Sequence, residues 1–199
     1  QFTYPESDSS FILLDMNHTL WQSCPWSNLR VENDSTLVGY KLVKGWGPER
    51  HVYFTAVFSK PFRDFGIMQD TIPVKYNTNR FRSSLEAWGK DLRFWMRFPT
   101  RQGEVVTVKT AVSAVSSDGA KLNMQELEGK TFASLKAEGE KLWEGQLSKF
   151  KIEATPEQRE TFYTSVYHAF LHPFIFQDAD GKFRELDKNI GQAEGFTNY

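Results

Sequence analysis

The sequence predicts a mainly β protein with C-terminal helices: an antiparallel β-sandwich followed by two linker helices. Three observations carry that expectation. Up to residue 115 the apolar residues come in short runs, the clearest of them alternating as a half-buried strand does. The runs recur at roughly ten-residue spacing, divided by Gly, Pro, Ser and Asp, with no helical crossover between them. Beyond residue 120 the apolar period lengthens to that of a helix.

In order, residues 10–15 (SFILLD) read as a buried strand, and Ser23-Cys24-Pro25-Trp26 as a loop. Segments 28–31 and 35–43 flank Glu32-Asn33-Asp34, a hairpin turn, and Gly45-Trp46-Gly47-Pro48 marks a second turn. Residues 51–59 place Val52, Phe54, Ala56 and Phe58 on one face of a strand, which Lys60-Pro61 ends. Signals weaken across 62–88, where 71–76 is a strand candidate and 77–82 an exposed connection. Residues 92–98 form another strand, 99–103 a turn, and 104–115 the longest strand-like run, closed by Ser116-Ser117-Asp118-Gly119.

The helical half opens on Asn123 with Glu126, a capping-box pattern. From 131 to 150, Phe132, Leu135, Leu142, Trp143, Leu147 and Phe150 keep helical spacing, with Gly139 and Gly145 as weak points. The second helix starts at Thr155 as N-cap, with Pro156 at N1 and Gln158 at N3. Phe162, Val166, Ala169 and Phe170 form its apolar stripe, Tyr163 and Tyr167 lie beside it, and Pro173 stops or kinks it. A stripe this aromatic needs a partner surface of similar size. The change of period puts a domain boundary near 118–127.

Charge is balanced, 24 Lys and Arg against 25 Asp and Glu, which argues against a nucleic-acid footprint. Apolar runs reach only about four residues, far short of the ~20 a membrane-spanning helix needs. One cysteine, Cys24, permits neither an internal disulfide nor a thiolate cluster. The 17 Phe, 7 Tyr and 6 Trp suit a thick core first, and rings stacked on sugars second. The chain opens at Gln1, without methionine, and so reads as a processed or cut piece.

Candidate sites are few. Asp178, Asp180 and Gly181, with Asp187 beyond, fail the spacing of a calcium loop and read as a turn with solvated aspartates. His168 and His172 stand one helical turn apart, but lack the adjacent glutamate of a zincin and a third ligand; lining an interdomain cleft suits them better. Trp46, on its glycine turn, either stacks on a ligand or plugs the end of the sandwich. Ser59 has no nucleophile-elbow context, and the sequons at Asn17 and Asn33 matter only in a glycosylating source. Glycosidase carboxylates are recognised by separation in space, so spacing in the chain singles out no acid–base pair.

Residues 162–183, FYTSVYHAFLHPFIFQDADGKF, resemble the junction segment of the glycoside hydrolase family 92 α-mannosidases. Phe2-Thr3-Tyr4-Pro5, Leu14-Asp15, Val52-Tyr53-Phe54, the 58–62 run, 108–115, 120–123 and Trp143 before Leu147 are similar to that family in the same order. The resemblance implies a fragment of a two-domain enzyme. Residues 1–119 would be its β-sandwich, lacking the first strands, and 120–199 the linker helices and the start of an (α/α)6 catalytic barrel. It implies calcium-dependent, exo-acting, inverting removal of α-linked mannose from glycans by the full enzyme, in a periplasmic or extracellular setting. The general acid, general base and calcium ligands would lie in the later barrel, so no catalytic residue or metal ligand is assigned within these residues. Trp46, His168, His172 and Asp178 are then the candidates for interdomain or substrate-cleft residues. Glu185 departs from the family's usual glycine. A sandwich without its first strands has exposed edges and is expected to self-associate. The alternative is a non-catalytic carbohydrate-binding or structural module, which titration with mannose and mannobiose would separate from a scaffold.

Overall fold

The alternating segments do become strands, and among the described residues their pairing is antiparallel throughout. The structure is a computed structural model that describes residues 1–45, 47, 49–69, 72–73 and 85–199. Trp46, Pro48, most of the strand expected at 71–76 and the connection at 77–82 lie outside the described residues.

One sheet has five strands in the order β11-β5-β4-β3-β8: β3 is Ser23–Asn33, β4 Thr36–Lys44, β5 Arg50–Phe58, β8 Leu85–Gly89 and β11 Val108–Ser113. The other has four, ordered β2-β9-β6-β7: β2 is Ser7–Asp15, β6 Asp64–Gln69, β7 Ile72–Pro73 and β9 Leu92–Thr100. Between them Leu29, Leu37, Ala56 and Phe58 of the first sheet meet Ile67, Phe94, Met96 and Phe98 of the second. Phe62 joins the two, making edge-on contacts with Phe58 at 6.1 Å and Phe65 at 5.5 Å. Such ring pairs add about 0.5–1.5 kcal/mol each beyond the area they bury. Phe54, Phe58, Phe62, Phe65, Phe94 and Phe98 thus belong to the core, whereas several phenylalanines near the C-terminus stay exposed.

The long run expected at 104–115 divides at Thr107. Its first part, β10 (Glu104–Val106), pairs with β1 (Phe2–Tyr4), and the remainder, β11, crosses to pair with β5. Ser59 holds the break: its N–H donates to the Thr107 carbonyl at 2.8 Å, and its hydroxyl accepts from the Thr107 N–H at 2.9 Å. That hydroxyl is thus a backbone brace.

Three helices follow where the sequence predicts two. The first, α1 (Ser117–Met124), is capped by Ser116, whose side chain accepts from the Gly119 N–H. The capping box expected at Asn123 is not formed; Asn123 lies in the last turn of α1 and uses its amide elsewhere. Ser116 wins because the chain leaves β11 there and an extended residue with a short hydroxyl can turn back at once. A short 3-10 turn, Gln125–Leu127, follows. Helix α1 lies on the five-stranded sheet, buries Ala120 and sends Lys121 to Glu32 at 2.6 Å, where Arg30 also binds at 2.8 Å.

Burial raises the Glu32 carboxyl, but hydrogen bonds from Lys121 and Arg30 outweigh it and hold the group below its ordinary value of 4.5. A carboxylate depressed in the folded state stabilises above its unfolded value and loses that contribution as pH falls through the folded one. Glu32→Gln is therefore expected to cost up to about 1 kcal/mol at neutral pH. The difference from the parent chain should vanish in acid, as read by urea denaturation across a pH series.

Both remaining helices carry the predicted start signals. In α2 (Phe132–Leu147) Thr131 and Ser134 form a capping box, and in α3 (Pro156–Ala169) Thr155 and Gln158 do the same, with Pro156 in the first turn. Neither helix buries a single residue. They touch each other through Trp143 and Tyr167, ring centroids 4.5 Å apart, and through Phe150 against Phe162 and Phe170. Leu142, Phe170 and Ile175 face solvent, Leu142 with 64% of its surface exposed. The aromatic stripe is real, and none of it is buried: Phe162, Tyr163 and Val166 are half-buried, Tyr167, Ala169 and Phe170 exposed.

Candidate functional site

Sequence elements far apart in the chain meet at one end of the five-stranded sheet. They are the end of β11, the helix α1, the start of β5, and the segment 174–192 with its hairpin of β12 (Lys182–Arg184) and β13 (Ile190–Gln192). Asp178 is the centre. It is only 5% exposed, so the expectation of a solvated aspartate is wrong for this residue. The Ser113 hydroxyl donates to one carboxylate oxygen at 2.6 Å, and the Asn123 amide to the other at 2.8 Å. The Asn123 carbonyl oxygen in turn accepts from the Ala179 N–H at 2.7 Å. Ser113 also accepts from the Val115 and Ser116 N–H groups, so one hydroxyl ties strand end, helix start and turn together.

The packing leaves no slack. A Cβ on Gly119 would sit 2.2 Å from an Asp178 carboxylate oxygen and 2.7 Å from the Ser113 hydroxyl, so α1 approaches this closely only through a glycine. Arg184 forms a second clasp: its guanidinium donates to the carbonyls of Ala114 at 2.7 Å, Val115 at 3.0 Å and Lys188 at 3.0 Å. Five N–H donors in a planar fork suit several carbonyls at once.

Between these clasps and β5 lies a cavity of about 250 Å³, lined by His51, Val52, Phe174, Phe176, Asp178 and Phe183, among others. His51 shares its Nδ1 with the Tyr40 hydroxyl at 3.0 Å, and its Nε2 is buried with no hydrogen-bond partner among the described residues. Burial first, and the nearby Arg184 second, push its basicity down.

The other candidates scatter. Asp180 binds the Lys182 ammonium at 2.6 Å, which lowers its carboxyl, and Asp187 accepts from Asn189. Neither joins Asp178. His168 and His172 are exposed, with Tyr167 beside the first ring and Phe174 beside the second; neither lines the cavity. Trp46 lies outside the described residues. Among the described residues no three His, Cys, Asp or Glu side chains gather to hold a metal ion, and both Asp178 oxygens are committed to the clamp. The described residues here do not fit calcium. Ser113, Asn123 and Arg184 are missing from any reading by spacing, because their partners lie 55 to 70 residues away.

The class this defines is a β-sandwich with a helix, α1, and a C-terminal hairpin segment clamped to its end by buried polar groups. The chain belongs to glycosyl hydrolase family 92. The family's N-terminal domain matches residues 1–113, and its catalytic domain matches residues 119–199. The structure superposes on the family GH92 α-mannosidase BT3965 from Bacteroides thetaiotaomicron with a TM-score of 0.92 and 68% identity, covering 99% of this chain and 27% of that one. The same mannosidase in complex with mannoimidazole gives an equal score and identity. The inverting mannosidase BT2199 from Bacteroides thetaiotaomicron VPI-5482 shares the fold at 20% identity and a TM-score of 0.78, over 94% of this chain and 25% of its own. This chain thus spans about a quarter of the length of these relatives. No curated protein matches it.

Proposed function

We propose that this chain is the sandwich-and-linker portion of an inverting α-mannosidase that removes α-linked mannose from glycans. The observation that carries the reading is 68% identity along 99% of the chain to a solved α-mannosidase. In it, residues 1–119 are the sandwich domain, and 120–199 the linker helices and the start of an (α/α)6 barrel. Chemistry of the inverting kind needs one carboxylic acid on the leaving oxygen and one carboxylate on the attacking water, roughly 6.5–9.5 Å apart. That pair, and the calcium ligands of the whole enzyme, are assigned to the barrel beyond these residues.

The chain's own part is to position. The Asp178 clamp holds the segment that leads from sandwich to barrel, which supports an interdomain role for Asp178. His168 and His172, exposed beside the uncovered aromatic stripe, suit the same junction, and Trp46 is retained as a cleft residue on its sequence context. The uncovered faces of α2 and α3 are the surfaces on which the barrel would pack. In this chain alone those faces, with Phe11 and Leu13 exposed on the edge strand β2, favour self-association. A periplasmic or extracellular location fits a glycan substrate, which is met outside the cytoplasm.

The test is an assay of the purified 199-residue chain on α-mannosides with calcium present. No hydrolysis is expected, whereas the protein extended through the barrel should release mannose as the β-anomer, seen by NMR at early times. Hydrolysis by the short chain, retained after contaminating enzymes are excluded, would overturn the placement of the machinery. Release of the α-anomer by the longer protein would overturn the inverting reading.

A further inference from the structure

The cavity behind Asp178 holds a polar group that the clamp does not use. His51 has Tyr40 on its Nδ1, but its Nε2 is buried with no partner among the described residues, at the margin of a largely apolar space lined by Phe174, Phe176 and Phe183. We propose that His51 is an acid-sensitive latch: its neutral ring lets the 174–184 segment close over the end of the five-stranded sheet, and protonation of the ring opens it.

The charges around the ring decide the direction. From β12 comes the Arg184 guanidinium, and from the turn after it Lys188, both opposed to a second positive charge. From the loop before β5 comes Glu49, a facing carboxylate that favours it, but Glu49 is already engaged by Lys188 at 2.5 Å and Lys44 at 3.6 Å. Across the cavity stand Asp178, whose oxygens are taken by Ser113 and Asn123, and Lys182, which is paired with Asp180. Tyr40 of β4 can accept from a protonated Nδ1, and Tyr53 of β5 stacks behind it. The end of β11 and α1 contribute Ser113 and Asn123 to the lining, neither of which titrates. A proton arriving on Nε2 therefore enters a cavity lined by phenyl rings, with the Arg184 charge acting against it. Buried charge without a partner is expensive, and opening the segment to water relieves it.

The sign follows from linkage. Burial and Arg184 hold the closed-state histidine below its ordinary value of 6.5, so the open state binds protons more readily. Closure is complete at neutral pH and above, and weakens as pH falls below that ordinary value. Unlike the mannosidase reading, this inference is tested without any substrate, so the two can fail separately.

The experiment is amide hydrogen exchange on this chain, expressed as protection factors so that the intrinsic pH dependence drops out. The reporters are Ala179, whose N–H donates across the junction to the Asn123 side chain of α1, and the bonded amides of Asp178 and Gly181 within the segment, with β3–β4 amides as the internal control. Between neutral pH and about pH 5 the reporters should lose protection several-fold while the controls hold, since only the closed state disfavours the proton. His51→Phe, which fills the same place with an uncharged ring, should remove that loss, and His51→Gln serves as a second uncharged variant should the phenylalanine disturb packing. Equal protection at both pH values in the parent chain, or the same acid loss in either folded variant, overturns the latch.

Discussion

Replacing Phe94 with alanine is expected to lower the unfolding free energy by about 3–5 kcal/mol, the range for large-to-small changes in a closed core. Phe94 is fully buried on β9, with the Phe62 ring edge-on at 6.4 Å and the Phe65 ring at 5.5 Å. It belongs to a buried cluster drawn from both sheets, so the hole is not readily closed by shifting one strand. A domain of this size has about 5–15 kcal/mol in total. The variant should therefore unfold at much lower urea, with the slope of the transition unchanged if the compactness of the unfolded state is unchanged. Phe94→Leu, which keeps most of the volume, should lose far less. A small effect from the alanine variant would mean that the two sheets are less tightly interlocked than their buried rings imply.

Replacing Asp178 with alanine is expected to cost about 2–4 kcal/mol, because two charge-assisted hydrogen bonds disappear and their donors stay buried. The Ser113 hydroxyl and the Asn123 amide would each lose their carboxylate partner. The loss should be local before it is global: the hairpin after Lys182 should become open to trypsin while the sandwich remains resistant. Asp178→Asn should fall between the two, since its amide oxygen can keep one donor while its NH2 opposes the other. If the hairpin of the alanine variant resists protease as the parent does, the clamp does not hold the junction.

Much of the fold could be read from local pattern, for reasons that act within a few residues. The alternation at 51–58 puts Phe54, Ala56 and Phe58 on the core face whatever the sheet's partners, because the pleat has a period of two. Thr155, Pro156 and Gln158 start a helix because cap, fixed φ and return hydrogen bond are all local. Other features were misread where two local signals competed. Asn123 with Glu126 mimics a capping box, yet Ser116 lies nearer the end of β11 and takes the cap. The 104–115 run shows continuous β character, and nothing in it marks Thr107 as the residue where the chain changes sheets; Ser59, 48 residues earlier, supplies the brace.

The sequence by itself determined the strand-then-helix order, the helix starts, and the family likeness carried by residues 162–183. Tertiary structure decided what the acidic turn is for. Asp180 and Asp187 stay in the solvent-facing hairpin, whereas Asp178, in the same short stretch, is drawn inside by Ser113 and Asn123. It also decided that His51, with no motif around it, sits beside Arg184 with one nitrogen unsatisfied. The reason is physical. Capping and alternation are set by neighbours in the chain, but burial and the pairing of a buried polar group depend on residues that only folding brings within hydrogen-bond reach.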